Sequence, residues 1–150
     1  MTEFTATNAV ALISAQGTDV VIPEGVTSIE YEAFKDTDLT SVQLPSTLTS
    51  LSQNSFWGTR LTSVVIPEGV TSIGSAAFYL APLTSVQLPS TLTSIVQHAF
   101  RSTQLTSVVI PEGVTSIGGW AFRGATLESV VVAGTLTTIG EYASRSAQLS

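Results

Sequence analysis

The chain has 150 residues, enough for one domain, and it contains no cysteine, so neither disulfides nor a thiolate metal site can form. Only 11% of the residues are charged, and the net charge of -6 argues against nucleic acid or an anionic membrane as partner, since both require clustered Lys and Arg. No apolar run reaches the length of a membrane span, so we expect no membrane insertion.

Residues 1–17 are predicted to form a degenerate N-terminal cap. Moving back 22 positions places Phe4 in the column of Val26, and residues 11–12 in the columns of residues 33–34. Terminal units of repeat proteins depart from the consensus because one of their faces has no neighbour. No basic residue precedes the short apolar run of residues 9–14, so a secretory signal is absent or was removed.

Residues 18–140 form a tandem repeat, and the whole chain is predicted to be a single domain. The period of 22 residues is marked by Pro23, Pro45, Pro67, Pro89 and Pro111. Each unit also ends on a small residue and an aromatic ring, at Ala33-Phe34, Ser55-Phe56, Ala77-Phe78, Ala99-Phe100 and Ala121-Phe122. Odd units read VVIPEGVTSI and even units VQLPSTLTS, and this near-identity at exposed positions indicates either recent duplication or an engineered sequence.

Within one unit, residues 63–66 alternate between polar or exposed and buried positions, which predicts a short strand. Pro67 ends that strand and opens a turn, because proline has no N–H for a ladder. Val70 and Ile73 then point inward from an extended or 3₁₀-like segment, and residues 77–78 close the coil. About six coils at a strand spacing of about 4.8 Å make a stack roughly 30 Å long.

Residues 141–150 are predicted to be a C-terminal cap or a truncated repeat. Ser144 stands where Phe is due, and the chain stops at Leu149-Ser150, the opening of a further strand. Withdrawing the ring at position 144 is what a solvent-facing cap would do, although a cut from a longer array would look similar.

The pattern LxxVxIPxxVxxIgxxAFxx, which covers about residues 20–149, resembles the BspA-like class of leucine-rich repeat. The resemblance implies a curved solenoid with a parallel sheet on its concave face, mainly β and irregular in structure. It also implies a location on microbial or protist cell surfaces and binding to host or matrix proteins. Units of this family usually carry Cys a few residues after the Phe, and its absence here favours an engineered origin and weakens the inference about location.

The concave face is predicted to carry flat, nearly uncharged ladders, because side chains in one column of a parallel stack lie about 4.8 Å apart. It is either a shallow interaction surface or a set of soluble, strand-favouring spacers. The residues concerned are Ser41, Gln43, Ser63, Val65, Ser85, Gln87, Ser107 and Val109.

Sequence variation concentrates around the Phe of each unit. The residues there include the types that dominate binding hot spots. A protein-binding ridge is one interpretation, and aromatic rings that only shield the core are the other. The candidate binding residues are Tyr31, Trp57, Tyr79, His98, Arg101, Trp120 and Arg123.

Nothing in the sequence indicates an enzyme, a metal site or a cofactor. His98 is the only imidazole, and its neighbours Gln97, Ala99 and Phe100 offer neither a nucleophile nor an orienting acid. There is no Gly-rich phosphate loop. The acidic residues crowded at 30–38 have no calcium-loop spacing, which favours solvated charge over a bound ion.

The sequence therefore predicts a non-catalytic protein-interaction module, or an engineered scaffold of that type, with an unidentified protein partner. The alternative is a structural element that self-associates through its terminal strands, because an exposed strand edge invites pairing. A remote alternative is an ice-binding surface, since threonines recur in two columns. Thr-Ser neighbours in a strand point to opposite faces, however, which argues against that surface.

Overall fold

The computed structural model describes residues 3–134 and 136–144, and it shows a β-solenoid of about six coils. We number the coils from residue 18 in steps of 22, so that coil 1 is 18–39 and the last described coil, coil 6, begins at 128. One helix, α1 (Ala6–Gln16), precedes the coils. It is too short to cross a membrane, and no other helix occurs in the described residues.

Each coil contributes a first strand, and these strands pair in parallel exactly one repeat apart. The ladders join Asp19 with Ser41, Ser63 with Ser85, and Ser107 with Ser129, that is, coil 1 with 2, 3 with 4, and 5 with 6. The first strands are β2 (Asp19–Val21), β4 (Ser41–Gln43), β6 (Ser63–Val65), β8 (Ser85–Gln87), β10 (Ser107–Ile110) and β12 (Ser129–Val132).

A second row of short parallel strands follows the proline turn, where the sequence predicted only an extended or 3₁₀-like segment. The row consists of a four-stranded and a three-stranded sheet. Its inward residues, such as Ile29 and Ile73, are buried as expected. The strands are β1 (Glu3–Phe4), β3 (Ser28–Ile29), β5 (Ser50–Leu51), β7 (Ser72–Ile73), β9 (Ser94–Ile95), β11 (Ser116–Ile117) and β13 (Thr138–Ile139).

The third side of each coil is a pair of consecutive turns around the Phe. Here the Phe N–H donates to the carbonyl one coil later, as from Phe56 to Ala77 and from Phe78 to Ala99, at 2.8 and 2.9 Å. The same donation occurs from Phe34, Phe100 and Phe122. Backbone bonds therefore cross every coil interface on this side, which holds the residues around the Phe in fixed columns.

The core is a continuous stack of phenylalanine rings. Successive rings from Phe4 to Phe122 lie 5.1–5.5 Å apart between centroids, with interplanar angles of 2–11°. In coils 1 to 5 the residue before the Phe is buried as well, and it is small because a second large side chain would not fit beside the ring. In the even coils Val42, Leu44, Val86 and Leu88 are only partly buried, while Pro45 and Pro89 are buried instead.

The first residues do not follow the register that the repeat predicts. Phe4 pairs with Ile29, not with the Val26 column, and its ring lies 5.4 Å from Phe34. Residues 11–12 do not take the Ala-Phe columns, because residues 6–16 are helical and this run is rich in helix-forming Ala. Thr5 and Asn8 form a capping box at the helix start.

The helix end covers the edge of the first strand row. The Gln16 amide accepts from the Val21 N–H at 2.8 Å and donates to the Val21 carbonyl at 3.5 Å. A side-chain amide thereby replaces a neighbouring strand, which is one way to protect an edge from pairing with another chain.

The alternation of odd and even units has a structural reason. Glu24 accepts from the N–H and the hydroxyl of Ser46 at 3.0 and 2.9 Å, and Glu68 accepts likewise from Ser90. These bonds lower the pKa of both glutamates. Carboxylates in odd turns thus bind hydroxyls in even turns, within the coil pairs that the first-strand ladders join.

Of the predicted C-terminal cap, the structure describes only residues 141–144, which form a turn. Ala143 is buried and accepts the Phe122 N–H at 2.8 Å, so the backbone of the column continues to this point. Residues 145–150, and with them the prediction about Leu149, lie outside the described residues.

Candidate interaction surface

The residues around the Phe form two neighbouring columns, which we call the ridge. One column lies one residue after the Phe, at Lys35, Trp57, Tyr79, Arg101 and Arg123. The other lies two residues before it, at Glu32, Asn54, Ala76, His98, Trp120 and Tyr142. The 22-residue register of the core fixes both columns.

The second ridge column has a left-handed backbone throughout. Its φ angles lie between 54° and 61°, including those of Ala76, His98 and Trp120. This conformation is uncommon for residues other than glycine and a genuine outlier for a bulky one. Since it recurs in every coil, the solenoid turn itself requires it, and the identity of the side chain is left free to vary.

In the first ridge column two aromatic rings contact each other, and a cation packs against each ring. Lys35 Nζ lies 5.0 Å from the Trp57 ring, Trp57 lies 5.0 Å from Tyr79 with the planes tilted by 57°, and the Arg101 guanidinium lies 5.1 Å from the Tyr79 ring. Each contact is at a favourable cation–π or aromatic separation. The π faces therefore contact neighbouring coils, while the rings remain half-exposed at the surface.

The second ridge column contains a smaller stack that touches the first. The rings of His98 and Trp120 are stacked at 5.1 Å, and Trp120 is 6.3 Å from Tyr142. Arg101 Nη1 lies 3.4 Å from His98 Nδ1 and so links the two columns. Desolvation lowers the pKa of His98, and the positive charges of Arg101 and Arg123 lower it further, so the imidazole is neutral at pH 7.

At the N-terminal end of the ridge the charges are paired. Glu32 Oε1 accepts from Lys35 Nζ at 2.8 Å and from Asn54 Nδ2 at 3.2 Å. The hydrogen bond between Glu32 and Lys35 lowers the pKa of Glu32 and raises that of Lys35. This end of the ridge therefore presents no free charge to a partner.

Between the two columns lies a shallow groove of about 300 Å³, lined by ring and amide side chains. Asn54 lines it and is only 4% exposed, and its Oδ1 has no hydrogen-bond partner among the described residues. An unsatisfied buried carbonyl is costly, on the order of 1–3 kcal/mol.

The structure brings together five of the seven residues predicted to bind protein. Trp57, Tyr79 and Arg101 share the first column, and His98 and Trp120 share the second. Arg123 continues the first column without a ring contact among the described residues, and Tyr31, 57% exposed, lies one position outside both columns.

The predicted binding residues left out five members of the ridge: Glu32, Lys35, Asn54, Ala76 and Tyr142. The signal was present, because Lys35 and Trp57 are 22 residues apart, as are Trp120 and Tyr142. What the repeat could not show is that these side chains touch.

On the first-strand face, exposed and buried residues alternate along the strand. Val65 and Val109 are each 59% exposed, while their neighbours Val64 and Val108 are buried. The serines of this face are half-buried or exposed: Ser41, Ser63, Ser85 and Ser107, with Gln43 and Gln87 exposed beside them.

The hydroxyls in the threonine columns donate hydrogen bonds to backbone carbonyls. The hydroxyls of Thr49, Thr84 and Thr137 each donate to a carbonyl one coil earlier at 3.0–3.1 Å. Donors used in this way are not available to an ordered water layer, which weakens the ice-binding alternative.

Among the described residues, the His98 ring contacts Arg101 and Trp120, neither of which is a nucleophile. Across 3–134 and 136–144, no group of three or more His, Asp and Glu could hold a metal ion.

A model of the BspA type leucine rich repeat region matches residues 13–126 in six copies. No curated protein matches the chain. Similar solved structures are a leucine rich cell surface protein from Faecalibacterium prausnitzii (20% identity, TM-score 0.42) and leucine-rich repeat proteins from Eubacterium ventriosum (24%, 0.46) and Bacteroides ovatus (18%, 0.44). The alignments cover 77%, 73% and 90% of this chain but only 59%, 43% and 66% of those proteins.

Proposed function

The chain belongs to the BspA-type leucine-rich repeat family, and from this premise we propose that it is a protein-interaction module that carries out no catalysis. Its binding surface is the ridge, and its partner is another protein. The copying of exposed positions between units supports the further proposal that the array is an engineered scaffold of this type.

One observation carries this proposal: the coils differ from each other mainly where their side chains form the ridge. On the first-strand face and in the proline turns, coils 1, 3 and 5 share the sequence VVIPEGVTSI and coils 2 and 4 share VQLPSTLTS, while coil 6 departs from the even pattern. The ridge columns instead hold a carboxylate, three cations, an amide, an imidazole and several rings. Neither the core nor the backbone ladder requires this variety.

The ridge is also stiff. Trp57 and Tyr79 contact each other, and cations lie against the outer faces of that pair. Aromatic anchors that are held before binding lose little conformational entropy on contact, and Trp, Tyr and Arg are the residue types enriched in hot spots. The first-strand face offers mainly serine, glutamine and valine, with Asp19 at its N-terminal edge, so we rank it second.

The test is a selection of displayed random peptides on the immobilised protein, followed by affinity measurements of the selected peptides against variants. Trp57→Ala and Trp120→Ala remove ridge anchors without touching the phenylalanine stack. We expect a loss of at least roughly tenfold in affinity, as for truncation of a hot-spot residue.

Val65→Ser and Val109→Ser serve as matched controls, because they remove exposed apolar side chains from the first-strand face. These two variants should leave affinity unchanged. If the selected peptides lose affinity to the valine variants and not to the tryptophan variants, the ridge is the wrong surface.

Self-association is a second candidate function, and an observation at the C-terminal end favours it. A groove of about 430 Å³ opens on coil 6, lined by apolar side chains that include Phe122, Leu136 and Ile139. Ile139 is 65% exposed. The opposite end is covered by Gln16, so a second copy would meet the first through coil 6 of each.

Native mass spectrometry of the wild-type chain and of Ile139→Asp tests this candidate. A discrete dimer that becomes monomeric in Ile139→Asp supports it, since a buried unpaired carboxylate opposes an apolar interface. A wild-type monomer at the highest concentration measured contradicts it, as does a dimer that Ile139→Asp leaves intact.

A further inference from the structure

Two arginines on the ridge lack the carboxylate partner that the other cations among the described residues have. Lys35 pairs with Glu32 at 2.8 Å and Arg60 with Asp38 at 3.0 Å. Arg101 and Arg123 form no ion pair with any of the described residues. In a protein with 11 acidic and 5 basic residues, two neighbouring unpaired guanidiniums are unexpected.

Arg101 and Arg123 follow the Phe in consecutive coils, so their backbones are neighbours in one column. The Ser102 N–H donates to the Arg123 carbonyl at 2.7 Å, which binds the two chain segments directly together. Side chains in one column of a parallel stack are about 4.8 Å apart at their origin. Two cationic side chains that start so close together can reach carboxylates within one short peptide segment.

Arg101 is held in a defined position. Its guanidinium packs over the Tyr79 ring at 5.1 Å, and its Nη1 lies 3.4 Å from His98 Nδ1. Packing on a ring leaves the planar N–H edge of a guanidinium free to donate, which suits bidentate recognition of a carboxylate. Desolvation lowers the pKa of His98, and the positive charges of Arg101 and Arg123 lower it further.

No acidic side chain among the described residues forms an ion pair with Arg101 or Arg123. Glu141 is the acidic residue closest in register, since its carbonyl accepts the Trp120 N–H at 3.0 Å, but its side chain is exposed and forms no ion pair. The ridge thus changes from paired charge at Glu32 and Lys35 to unpaired positive charge at Arg101 and Arg123.

We propose that Arg101 and Arg123 bind the carboxylates of an acidic segment in the partner protein, with Tyr79 and Trp120 packing against its apolar side chains. This inference rests on the proposed function and adds the chemistry of the partner. An acidic segment is repelled by most of this acidic surface and is attracted to the two unpaired arginines. Complementary charge of this kind determines orientation and specificity more than affinity.

The probe is a fluorescein-labelled peptide of alternating glutamate and tyrosine, and its counterpart with glutamine in place of glutamate. Fluorescence anisotropy measures the binding of both to the wild type and to Arg101→Gln, Arg123→Gln and the double variant. Arg60→Gln is the matched control, because it removes the same charge from a different part of the surface.

We expect the glutamate peptide to bind the wild type more tightly than the glutamine peptide by roughly tenfold, about 1.4 kcal/mol. The double variant should lose that preference, and Arg60→Gln should keep it. Added salt should weaken the preference, since exposed charges are screened. Equal binding of the two peptides, or an equal loss in Arg60→Gln, would overturn the inference.

The peptide selection separates this inference from the proposed function. Selected peptides that depend on Trp57 and Trp120 but carry no excess of acidic residues, and that bind Arg101→Gln normally, overturn the acidic partner and leave the ridge as the binding surface. Selected peptides that ignore all four substitutions on the ridge overturn both proposals.

Discussion

Phe56 and Trp57 are neighbours in the chain, but their side chains belong to two different stacks. Phe56 is fully buried between Phe34 and Phe78, with ring planes within 7° of parallel. Trp57 is half-buried between a lysine and a tilted tyrosine. The phenylalanine rings form an inner stack, in which the available volume limits the side chain because each ring is enclosed on all sides. The side chains of the first ridge column form an outer stack, which requires contact only along the column and so accepts cations and rings of different size.

The largest change in stability is expected from a pair of alanine substitutions at adjacent positions, one in each stack. Phe78→Ala should lower the free energy of unfolding by about 3–5 kcal/mol, because it leaves a cavity in the middle of the inner stack. Tyr79→Ala should cost about 1 kcal/mol, since that ring is half-exposed. Chemical denaturation followed by circular dichroism measures both, and equal losses would mean that the two stacks are equally enclosed.

A smaller effect should come from the residue beside the inner ring. Ser55 is 0% exposed and its hydroxyl has no hydrogen-bond partner within the described part of the chain, whereas the other described coils have alanine in this column. Ser55→Ala should therefore raise the free energy of unfolding by about 1–2 kcal/mol, by removing an unsatisfied buried hydroxyl. The reverse change, Ala77→Ser, should lower it. A loss of stability in Ser55→Ala would show that the hydroxyl is bonded.

A still smaller gain in the free energy of unfolding is expected from replacing Leu80, because its backbone conformation in the turn after Phe78 suits glycine better than leucine. Leu80 has φ 62° and is exposed, and the same column contains Gly58 and Gly124. A left-handed backbone costs about 1–2 kcal/mol outside glycine, and glycine costs about 0.5–1 kcal/mol in chain entropy. Leu80→Gly should thus stabilise by about 0.5 kcal/mol, while Val65→Gly, on the first-strand face, should destabilise. A loss in both would show that the turn imposes no strain.

The smallest effect is a pH dependence confined to the ridge. The pKa of His98 is lowered in the folded state, so the unfolded state binds the proton more readily. Stability should therefore fall as the pH drops below about 6.5, the ordinary histidine value. Denaturation at several pH values, compared with His98→Gln, isolates this contribution. Arg101→Gln should reduce the dependence, and an unchanged profile in His98→Gln would contradict it.

Much of the fold could be predicted from the repeat. The 22-residue period, the buried columns and the turn at proline are visible in residues 61–83 alone, since each places an apolar side chain or a proline where a thin coil needs one. The second row of strands could not be predicted, because residues 72–73 are too few to show a period, and they become strands only when the neighbouring coils supply the ladder.

The N-terminal residues also separate what the repeat predicts from what the tertiary structure decides. The repeat predicts that residues 1–17 continue the coil in degenerate form, and it placed Phe4 in the wrong column. The capping of Val21 by Gln16 depends on what covers the open edge of coil 1, which no local pattern encodes.

The sequence by itself determined the coil: its length, its inward columns and the position of its turns, because these follow from burying apolar side chains in a unit repeated almost without change. Only the tertiary structure decided which side chains on the ridge meet. Lys35 and Trp57, or Arg101 and His98, come into contact because coils stack in exact register and a left-handed backbone aims the second column beside the first. The pairing of charges, and the two arginines left without a partner, follow from that stacking.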